Sequence, residues 1–207
     1  MKQPNIVIID YGVGNTYSVS NAINRLGYRK IKISDNKRVI SEADALILPG
    51  VGAFEACASN LRERHLDKIL NEQVLMKQKP ILGICVGMQL LATHSEENGL
   101  HDGLNWIAGK VIKLELPPQY AVPHVGWNNV KINTKERIFN NIVDESNFYF
   151  DHSYYFDCAD EHVAAFCDYG IKVTAAIQRN NIFGVQFHPE KSQINGLKLF
   201  RSFFNSI

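Results

Sequence analysis

Short apolar runs alternate with amphipathic stretches through the first half of the chain. The runs are rich in β-branched residues, which is typical of strands covered on both faces of a sheet. They predict strands at 5–10, 30–33, 45–48 and 80–84. Helical patterns follow three of these strands, at 16–26, 53–78 (in two pieces that break near Arg64) and 86–91. Strands joined by helices of this length predict right-handed crossovers and a parallel sheet.

The second half of the chain changes character, because apolar runs follow one another with few helical patterns between them. These runs predict strands at 110–114, 129–132, 147–155, 162–167, 173–178 and 182–187. A last helix carries an apolar stripe at helical spacing, which predicts core packing: Ile194, Leu197, Phe200, Phe203 and Phe204. We therefore predict one α/β domain over residues 1–207, with a mostly parallel sheet, helices on both faces and an antiparallel extension.

Composition excludes several classes of protein. The 207 residues are 45% hydrophobic and 21% charged, which is ordinary for a globular protein. With 22 basic and 21 acidic residues the net charge is +1, so nothing marks a surface for nucleic acid or anionic lipid. No apolar run approaches the roughly 20 residues that cross a bilayer, and the first run is too short for a signal peptide. We expect a cytoplasmic protein with neither a nucleic-acid partner nor a membrane partner.

Three of the four cysteines predict nothing beyond small buried hydrophobic side chains, and disulfides are not expected in a reducing compartment. These three are Cys57, Cys158 and Cys167. No histidine, cysteine or carboxylate cluster has metal-ligand spacing, so we expect neither a metal nor a cofactor.

Cys85 differs from the others because glycines stand two residues before it and two after it, in Gly-Ile-Cys-Val-Gly at 83–87. A nucleophile at a sharp strand-to-helix turn needs such small neighbours, because the chain crowds itself there. The turn places the sulfur at a helix N-terminus, which favours the thiolate, and the Val86 N–H can face a developing oxyanion. The alternative is a buried cysteine at a glycine-rich strand end.

Phe-His-Pro-Glu at 187–190 offers a base and a group that orients the base. Residues two apart on an extended chain point to the same side, so Glu190 is expected to reach the ring of His188. Cys85 and His188 both follow strands, and sites in α/β sheets gather at the carboxyl ends of strands.

The loop Pro-Gly-Val-Gly at 49–52 follows the third predicted strand. Gly50 and Gly52 flank Val51 and permit backbone orientations that can aim an N–H into the site. An ordinary tight turn is the alternative for this loop.

Together these segments resemble class I glutamine amidotransferases over essentially the whole chain. Within that class the resemblance is closest to the glutaminase subunits of imidazole glycerol phosphate synthases, because of Gly-Trp-Asn at 126–128. Val125, before that element, stands where those subunits often have methionine, which affects packing and not chemistry. The matching segments lie at 10–15, 49–54, 83–91, 123–128, 152–154 and 188–191.

The resemblance implies that Cys85 attacks the side-chain amide of glutamine, while His188 manages protons and Glu190 holds His188. Ammonia leaves, and water hydrolyses the γ-glutamyl thioester to glutamate. The backbone that would stabilise the oxyanion belongs to Val86, Gly50, Val51 and Gly52.

The resemblance also implies residues that hold the substrate glutamine. Glu97 is suited to the α-ammonium group, and the backbone of Ser153 and Tyr154 to the α-carboxylate. Gln89 matches a further substrate-binding position. A surface-capping Gln89 and a solvated Glu97 are the alternatives.

A partner is implied as well: a (β/α)₈-barrel cyclase subunit that receives the ammonia and makes imidazole glycerol phosphate in histidine biosynthesis. Its docking face would include Asn15, Trp127, Tyr149 and Lys191, although Trp127 is equally compatible with a place in the core. If the resting Gly50–Val51 peptide points its carbonyl into the oxyanion hole, hydrolysis stays slow until binding of the partner's ligand flips the peptide.

Three alternatives stay open. The same glutaminase chemistry can feed a different acceptor synthase, for instance one that modifies surface sugars. A catalytically silent glutamine-binding subunit is disfavoured because all three triad residues are present. A cysteine peptidase on a related fold is disfavoured by Gln89 and by the carboxylate two residues after the histidine.

Overall fold

The first half of the chain alternates strands with helices, as predicted. The structure is a computed structural model that describes residues 3–133 and 137–206. The order is β1 (Ile6–Ile9), α1 (Thr16–Arg25), β2 (Ile31–Ser34), α2 (Lys37–Ser41), β3 (Ala45–Gly50), α3 (Phe54–Glu63), α4 (Leu66–Asn71), β4 (Ile81–Cys85) and α5 (Val86–Gln89). A π-helical turn over Glu72–Met76 extends α4.

The predicted break near Arg64 is confirmed, because the chain turns at His65, whose φ is 55°. Two expectations in this half were wrong. The helix after β4 is only Val86–Gln89 and does not run to Leu91. The short helix α2 was not predicted, although Asn36 caps it by accepting from the N–H groups of Arg38 and Val39.

The second half is mostly strands. They are β5 (His94–Ser95), β6 (His101–Asp102), β7 (Gly109–Lys113), β8 (His124–Ile132), β9 (Ser146–His152), β10 (Tyr154–Cys158), β11 (Val163–Asp168), β12 (Lys172–Arg179) and β13 (Ile182–Val185), followed by helix α6 (Gln193–Asn205). The single strand predicted at 147–155 is two strands that belong to different sheets and meet at Ser153. The strand predicted at 129–132 begins earlier, at His124.

The main sheet has nine strands in the order β2-β1-β3-β4-β13-β12-β11-β8-β9. The first five strands of that order pair in parallel, and the others add antiparallel strands to one side. A second sheet, in the order β10-β7-β5-β6, was not predicted as a separate layer. The class is therefore the predicted α/β architecture, with helices on both sides of a mixed sheet.

The core is centred on the parallel strands, where every residue of β1, β3, β4 and β13 is buried. Such runs fit strands that are covered on both faces. The predicted stripe of α6 is buried or partly buried against this core, except for Ile194, which is 69% exposed. Ile194 therefore does not belong to the core.

Among the described residues, no helix combines the length and the apolar character needed to span a bilayer.

Candidate active site

Cys85 ends β4 in a strained backbone conformation, with φ 55° and ψ −117°, directly before α5. A Cβ on Gly83 would lie 2.6 Å from the carbonyl oxygen of Gly87, and a Cβ on Gly87 would lie 1.8 Å from that of Leu48. Both glycines are therefore required by backbone that crosses the turn. The sharp strand-to-helix turn predicted around Cys85 is present, and the thiol is almost fully buried.

His188 and Glu190 form a buried pair beside this turn. The distance from His188 Nδ1 to Glu190 Oε1 is 2.8 Å, and the two side chains are 3% and 1% exposed. The pairing was predicted, but the reason was incomplete, because Pro189–Lys191 is a 3₁₀ turn and not an extended segment. Gly196 of α6 makes this turn possible, since a Cβ there would lie 1.8 Å from the Pro189 carbonyl oxygen.

The partners of His188 determine its charge. Burial lowers its pKa, but hydrogen bonds to Cys85 and Glu190 and the charges of those groups together raise the pKa to about 10. The second carboxylate oxygen, Glu190 Oε2, is buried and accepts no hydrogen bond within the described residues. A buried carboxylate with one free oxygen is stabilised mainly by a cationic neighbour, so this geometry favours an imidazolium next to the sulfur.

Two buried glutamines connect the sulfur to the backbone of Tyr154. Gln186 donates from Nε2 to Cys85 Sγ at 3.8 Å and accepts at Oε1 from Gln89 Nε2 at 3.0 Å. Gln89 Nε2 also donates to the Tyr154 carbonyl oxygen at 3.0 Å. Sequence reasoning missed Gln186, which stands two residues before His188 on the same chain segment.

The loop at 49–52 lies beside the nucleophile, because Gly50 is in register with Cys85 across the β3–β4 pair. Val86 begins α5, so its N–H is one of the amides that a helix start leaves without an intrahelical acceptor. Beyond Gly50 the loop is open: Val51 is 41% exposed, and Gly52 has φ +88° with nothing within 4 Å of the position that a Cβ would take.

Two residues form hydrogen bonds to carbonyl oxygens of this loop. The sequence analysis did not assign either residue to the site. Tyr11 Oη donates to the Pro49 carbonyl oxygen at 2.5 Å, and Cys57 Sγ lies 3.6 Å from the Val51 carbonyl oxygen. Burial raises the pKa of the Cys57 thiol to about 11, so the thiol stays a donor at neutral pH. Cys57, Cys85 and Cys167 are buried and Cys158 is half-buried, and all four are free thiols.

A cleft of about 290 Å³ gathers most of the predicted catalytic and substrate residues. Glu97 is among them, and its Oε2 accepts from the Phe54 N–H at the start of α3 at 2.7 Å. Glu190 stands behind His188 instead of lining the cleft. The lining residues are Val51, Gly52, Cys85, Val86, Gln89, Glu97, Pro123, Asp151, His152, Ser153, Tyr154, His188 and Lys191.

Three of the residues predicted for a partner face contact one another: Trp127, Tyr149 and Lys191. Trp127 is 48% exposed, so it is not a core residue, and its ring contacts that of Tyr149 with centroids 6.1 Å apart. Lys191 Nζ lies 5.2 Å from the centre of the Tyr149 ring. Asn15 precedes α1, which packs beside the Pro189–Lys191 turn.

A buried histidine pair near the cleft, His124 and His152, was also missed as a functional element. The matched segments 123–128 and 152–154 contain these histidines, so the signal was present in the sequence, but their contact is made by strand pairing. Within residues 3–133 and 137–206, no group of three or more histidine, cysteine or carboxylate side chains is arranged to hold a metal ion.

Comparison with known proteins gives consistent results. A family model described as "Glutamine amidotransferase class-I" matches residues 7–207. The chain is 47% identical to "Imidazole glycerol phosphate synthase subunit HisH 2" of Vibrio vulnificus (strain YJ016), over 97% of this chain and 94% of that protein. It is also 47% identical to the subunit of the same name from Pseudomonas aeruginosa, over 96% of this chain and 98% of that protein. A solved glutamine amidotransferase structure, 18% identical, has the same fold, with a TM-score of 0.75 over 96% of this chain and 97% of that chain.

Proposed function

The chain belongs to the class I glutamine amidotransferase family, and we propose that it is the glutaminase subunit of an imidazole glycerol phosphate synthase, acting in histidine biosynthesis. The observation that carries the proposal is that Cys85 and His188 line a single cleft, while Glu190 pairs with the buried imidazole of His188. A thiol, a base and an orienting carboxylate are the groups that nucleophilic acyl transfer requires.

The proposed reaction begins with attack of the Cys85 thiolate on the side-chain amide carbon of glutamine. The oxyanion that forms is stabilised by the Val86 N–H and the backbone of 50–52. His188 gives its proton to the nitrogen, the C–N bond breaks, and ammonia leaves a thioester on Cys85. Neutral His188 then takes a proton from water, the resulting hydroxide attacks the thioester, and glutamate and the thiolate are released.

Substrate binding is assigned to other residues that line the same cleft. Glu97 offers a carboxylate for the α-ammonium group, although one of its oxygens already accepts from the Phe54 N–H. The Ser153–Tyr154 backbone is assigned to the α-carboxylate. Gln89 lies between this backbone and the nucleophile, since its amide nitrogen donates to Tyr154.

The ammonia acceptor is proposed to be a (β/α)₈-barrel cyclase subunit that docks on the face formed by Trp127, Tyr149, Lys191 and Asn15. Trp127 is exposed and Tyr149 is half-buried beside the Lys191 cation, and tryptophan and tyrosine are typical anchors of a protein interface. Both subunits would act in the cytoplasm.

The open loop supports a gate on hydrolysis. Gly50 is packed against the turn at Gly87, whereas Val51 is exposed and Gly52 is unobstructed. The Gly50–Val51 peptide can therefore change orientation without displacing the nucleophile. We propose that docking of the cyclase with its nucleotide substrate turns this peptide so that an N–H faces the oxyanion.

The test is glutamate release from glutamine by the chain alone, with the cyclase, and with the cyclase carrying its nucleotide substrate, using a Cys85→Ala chain as control. Strong release only in the complex whose cyclase carries its nucleotide substrate (the loaded complex) supports the glutaminase activity, the partner and the gate. A thioester trapped on Cys85 without stimulation keeps the chemistry and points to another acceptor synthase. Absence of both release and thioester would contradict the proposed function.

A further inference from the structure

The His124 and His152 side chains lie buried next to the cleft, 2% and 6% exposed. They face each other across the β8–β9 pair, and His124 Nδ1 lies 3.1 Å from His152 Nε2. His152 Nδ1 lies 2.8 Å from the Tyr154 carbonyl oxygen, and His124 Nε2 lies 3.4 Å from Asn128 Nδ2. These contacts form one continuous chain from Asn128 to Tyr154.

This series of hydrogen bonds has a single consistent arrangement of protons. A carbonyl oxygen only accepts, so the contact with Tyr154 puts a proton on His152 Nδ1 and leaves Nε2 of a neutral ring as an acceptor. His124 must then donate from Nδ1, and its Nε2 accepts from the Asn128 amide. Every ring nitrogen is satisfied with both rings neutral.

Burial reinforces that neutrality. It lowers the pKa of His124 to about 4. For His152, burial is again the largest cause, and the nearby His124 and His188 add to it, so that its pKa falls to about 3. Neither ring is positioned to carry a proton to or from Cys85, since both stay neutral and His152 uses both nitrogens elsewhere.

The bond made by His152 fixes the segment where β9 passes into β10. The Tyr154 carbonyl oxygen receives two donors, His152 Nδ1 and Gln89 Nε2. The preceding peptide is fixed from the other side, since the Leu114 N–H donates to the Ser153 carbonyl oxygen at 2.9 Å. Because each peptide unit is planar, the Leu114 bond orients the Tyr154 N–H, and the two bonds to the Tyr154 carbonyl oxygen fix the next peptide plane. The two peptide planes that flank Tyr154 are therefore both held.

We propose that His152 is a positioning residue that holds the Ser153–Tyr154 backbone for the substrate, and that His124 acts through it by enforcing its tautomer. The inference rests on the proposed function, in which this backbone binds the α-carboxylate of glutamine. His152 touches neither the amide that reacts nor the sulfur, so its effect falls on substrate binding and not on the chemical step.

Two substitutions at one position separate the two hydrogen bonds. In His152→Asn the amide nitrogen replaces Nδ1 and keeps the bond to Tyr154. In His152→Gln the amide reaches the position of Nε2, so it keeps the contact with His124 and loses the bond to Tyr154. His65→Asn, at an exposed histidine, is the matched control.

Glutaminase kinetics with the loaded cyclase then give the first readout. We expect His152→Gln to raise KM for glutamine about tenfold with little change in kcat, the size that loss of one buried hydrogen bond produces. His152→Asn should restore most of the loss, and His65→Asn should match the original chain. Equal KM values for His152→Gln and the original chain, or equal losses in both His152 variants, would overturn the proposal.

A second variant covers the case in which the His152 variants fail to fold, as thermal unfolding would report. His124→Phe keeps an aromatic ring between Phe150 and Tyr169, whose centroids lie 4.8 and 3.8 Å away, but removes the donor to His152. We expect KM to rise about threefold, because the His152 proton can then leave Nδ1. An unchanged KM in a folded His124→Phe chain contradicts the proposal.

Binding distinguishes this inference from the proposed function. Calorimetric titration of glutamine into the Cys85→Ala chain in the loaded complex needs no turnover. An original chain without glutaminase activity refutes the proposed function. Suppose instead that the unsubstituted chain is active, but that the Cys85→Ala chain binds glutamine with the same Kd with and without His152→Gln. That result refutes only the positioning role.

Discussion

Two buried histidines line the cleft, and the groups around His188 (the charged side) and around His152 (the neutral side) have opposite properties. His188 is 3% exposed and His152 is 6% exposed, so they have lost water to a similar extent. Contacts with Cys85 and Glu190 overcome the effect of burial and raise the pKa of His188 to about 10. The hydrogen-bond partners of His152 are a neutral imidazole and a backbone carbonyl, and burial, with smaller contributions from His124 and His188, lowers its pKa to about 3.

The difference shows that the partners of a buried histidine, more than its burial, decide its charge. A buried charge requires an opposite charge, which Glu190 and the sulfur supply to His188. A neutral imidazole requires only one acceptor and one donor, which Tyr154 and His124 supply to His152. The charged side suits proton transfer, and the neutral side suits fixed geometry.

Removing the negative charge next to His188 should have the largest effect. In Glu190→Gln the amide keeps the size of the side chain but no longer stabilises an imidazolium. We expect kcat for glutamine hydrolysis to fall about 10²- to 10⁴-fold, in line with the loss of an orienting carboxylate from a catalytic triad. The pKa of His188 should fall from about 10, which NMR titration of its ring resonances measures.

The control for that variant is Glu161→Gln. Glu161 also lies near a histidine, with Oε1 3.6 Å from His162 Nε2, but its side chain is 77% exposed. Exposed pairs contribute little, so the rate should be unchanged. A Glu190→Gln chain as active as the control would show that the charge of His188 does not depend on its carboxylate.

Gln89 connects the two sides, and its loss should have the next largest effect. Its amide nitrogen donates to Tyr154 on the neutral side and to Gln186 on the charged side. Gln89→Leu removes the donor to Gln186 Oε1 and leaves the Tyr154 carbonyl oxygen with His152 Nδ1 alone, so we expect kcat/KM to fall about 10- to 100-fold. Steady-state kinetics measure this, with Gln119→Leu at an exposed position as control. A loss no larger than that of the control would mean that the two sides do not depend on this bridge.

The charged side could be predicted from sequence because its signals are local. Gly83 and Gly87 flank Cys85 at a fixed spacing, and His188 and Glu190 are two residues apart. Local crowding and short-range pairing impose these patterns on the sequence itself. The parallel half of the sheet was predictable for a similar reason, since each buried strand reads as a continuous apolar run.

The neutral side could not be predicted, because its contacts join residues that are distant along the chain. His124 meets His152 only through the register of β8 against β9. The strand predicted at 147–155 breaks at Ser153 to enter a second sheet, and no glycine or proline marks the break. The support of the 49–52 loop by Tyr11 and Cys57 likewise depends on how three separate elements pack.

Because the two histidines are neutral in the folded protein, the free energy of unfolding should depend on pH in acid. The pKa of His124 lies at about 4 when folded, below its usual value of 6.5, so the unfolded chain binds more protons between these pH values. The free energy of unfolding should therefore fall as the pH drops from 6.5 towards 4, by about 1.4 kcal/mol per pH unit for this one group. Above pH 6.5 the group contributes no slope.

His124→Phe removes this titrating group and leaves His152 in place, so it should flatten the acid slope by about one proton between pH 4 and 6.5. Urea unfolding at a series of pH values measures the slope, and exposed His65→Asn should leave it unchanged. A slope as steep in His124→Phe as in the original chain would mean that His124 is already protonated in the folded protein.

The smallest effect on the kinetics is expected from the neutral hydroxyl that donates a hydrogen bond to the loop at 49–52. Tyr11 is fully buried, and its Oη donates to the Pro49 carbonyl oxygen at 2.5 Å. Tyr11→Phe keeps the ring and removes this bond, so we expect kcat to fall about threefold while KM stays the same. In the proposed reaction the loop at 49–52 acts on the oxyanion, which exists only during the reaction, whereas the proposed role of His152 concerns a segment that binds substrate beforehand. Steady-state kinetics should therefore show a lower kcat for Tyr11→Phe and a higher KM for His152→Gln. Tyr17→Phe, at an exposed position, should change neither constant. A rise in KM for Tyr11→Phe would indicate that the loop also shapes the glutamine site. The hydrogen bonds of Tyr11 and His152 would then both affect substrate binding, instead of one affecting the transition state and the other binding.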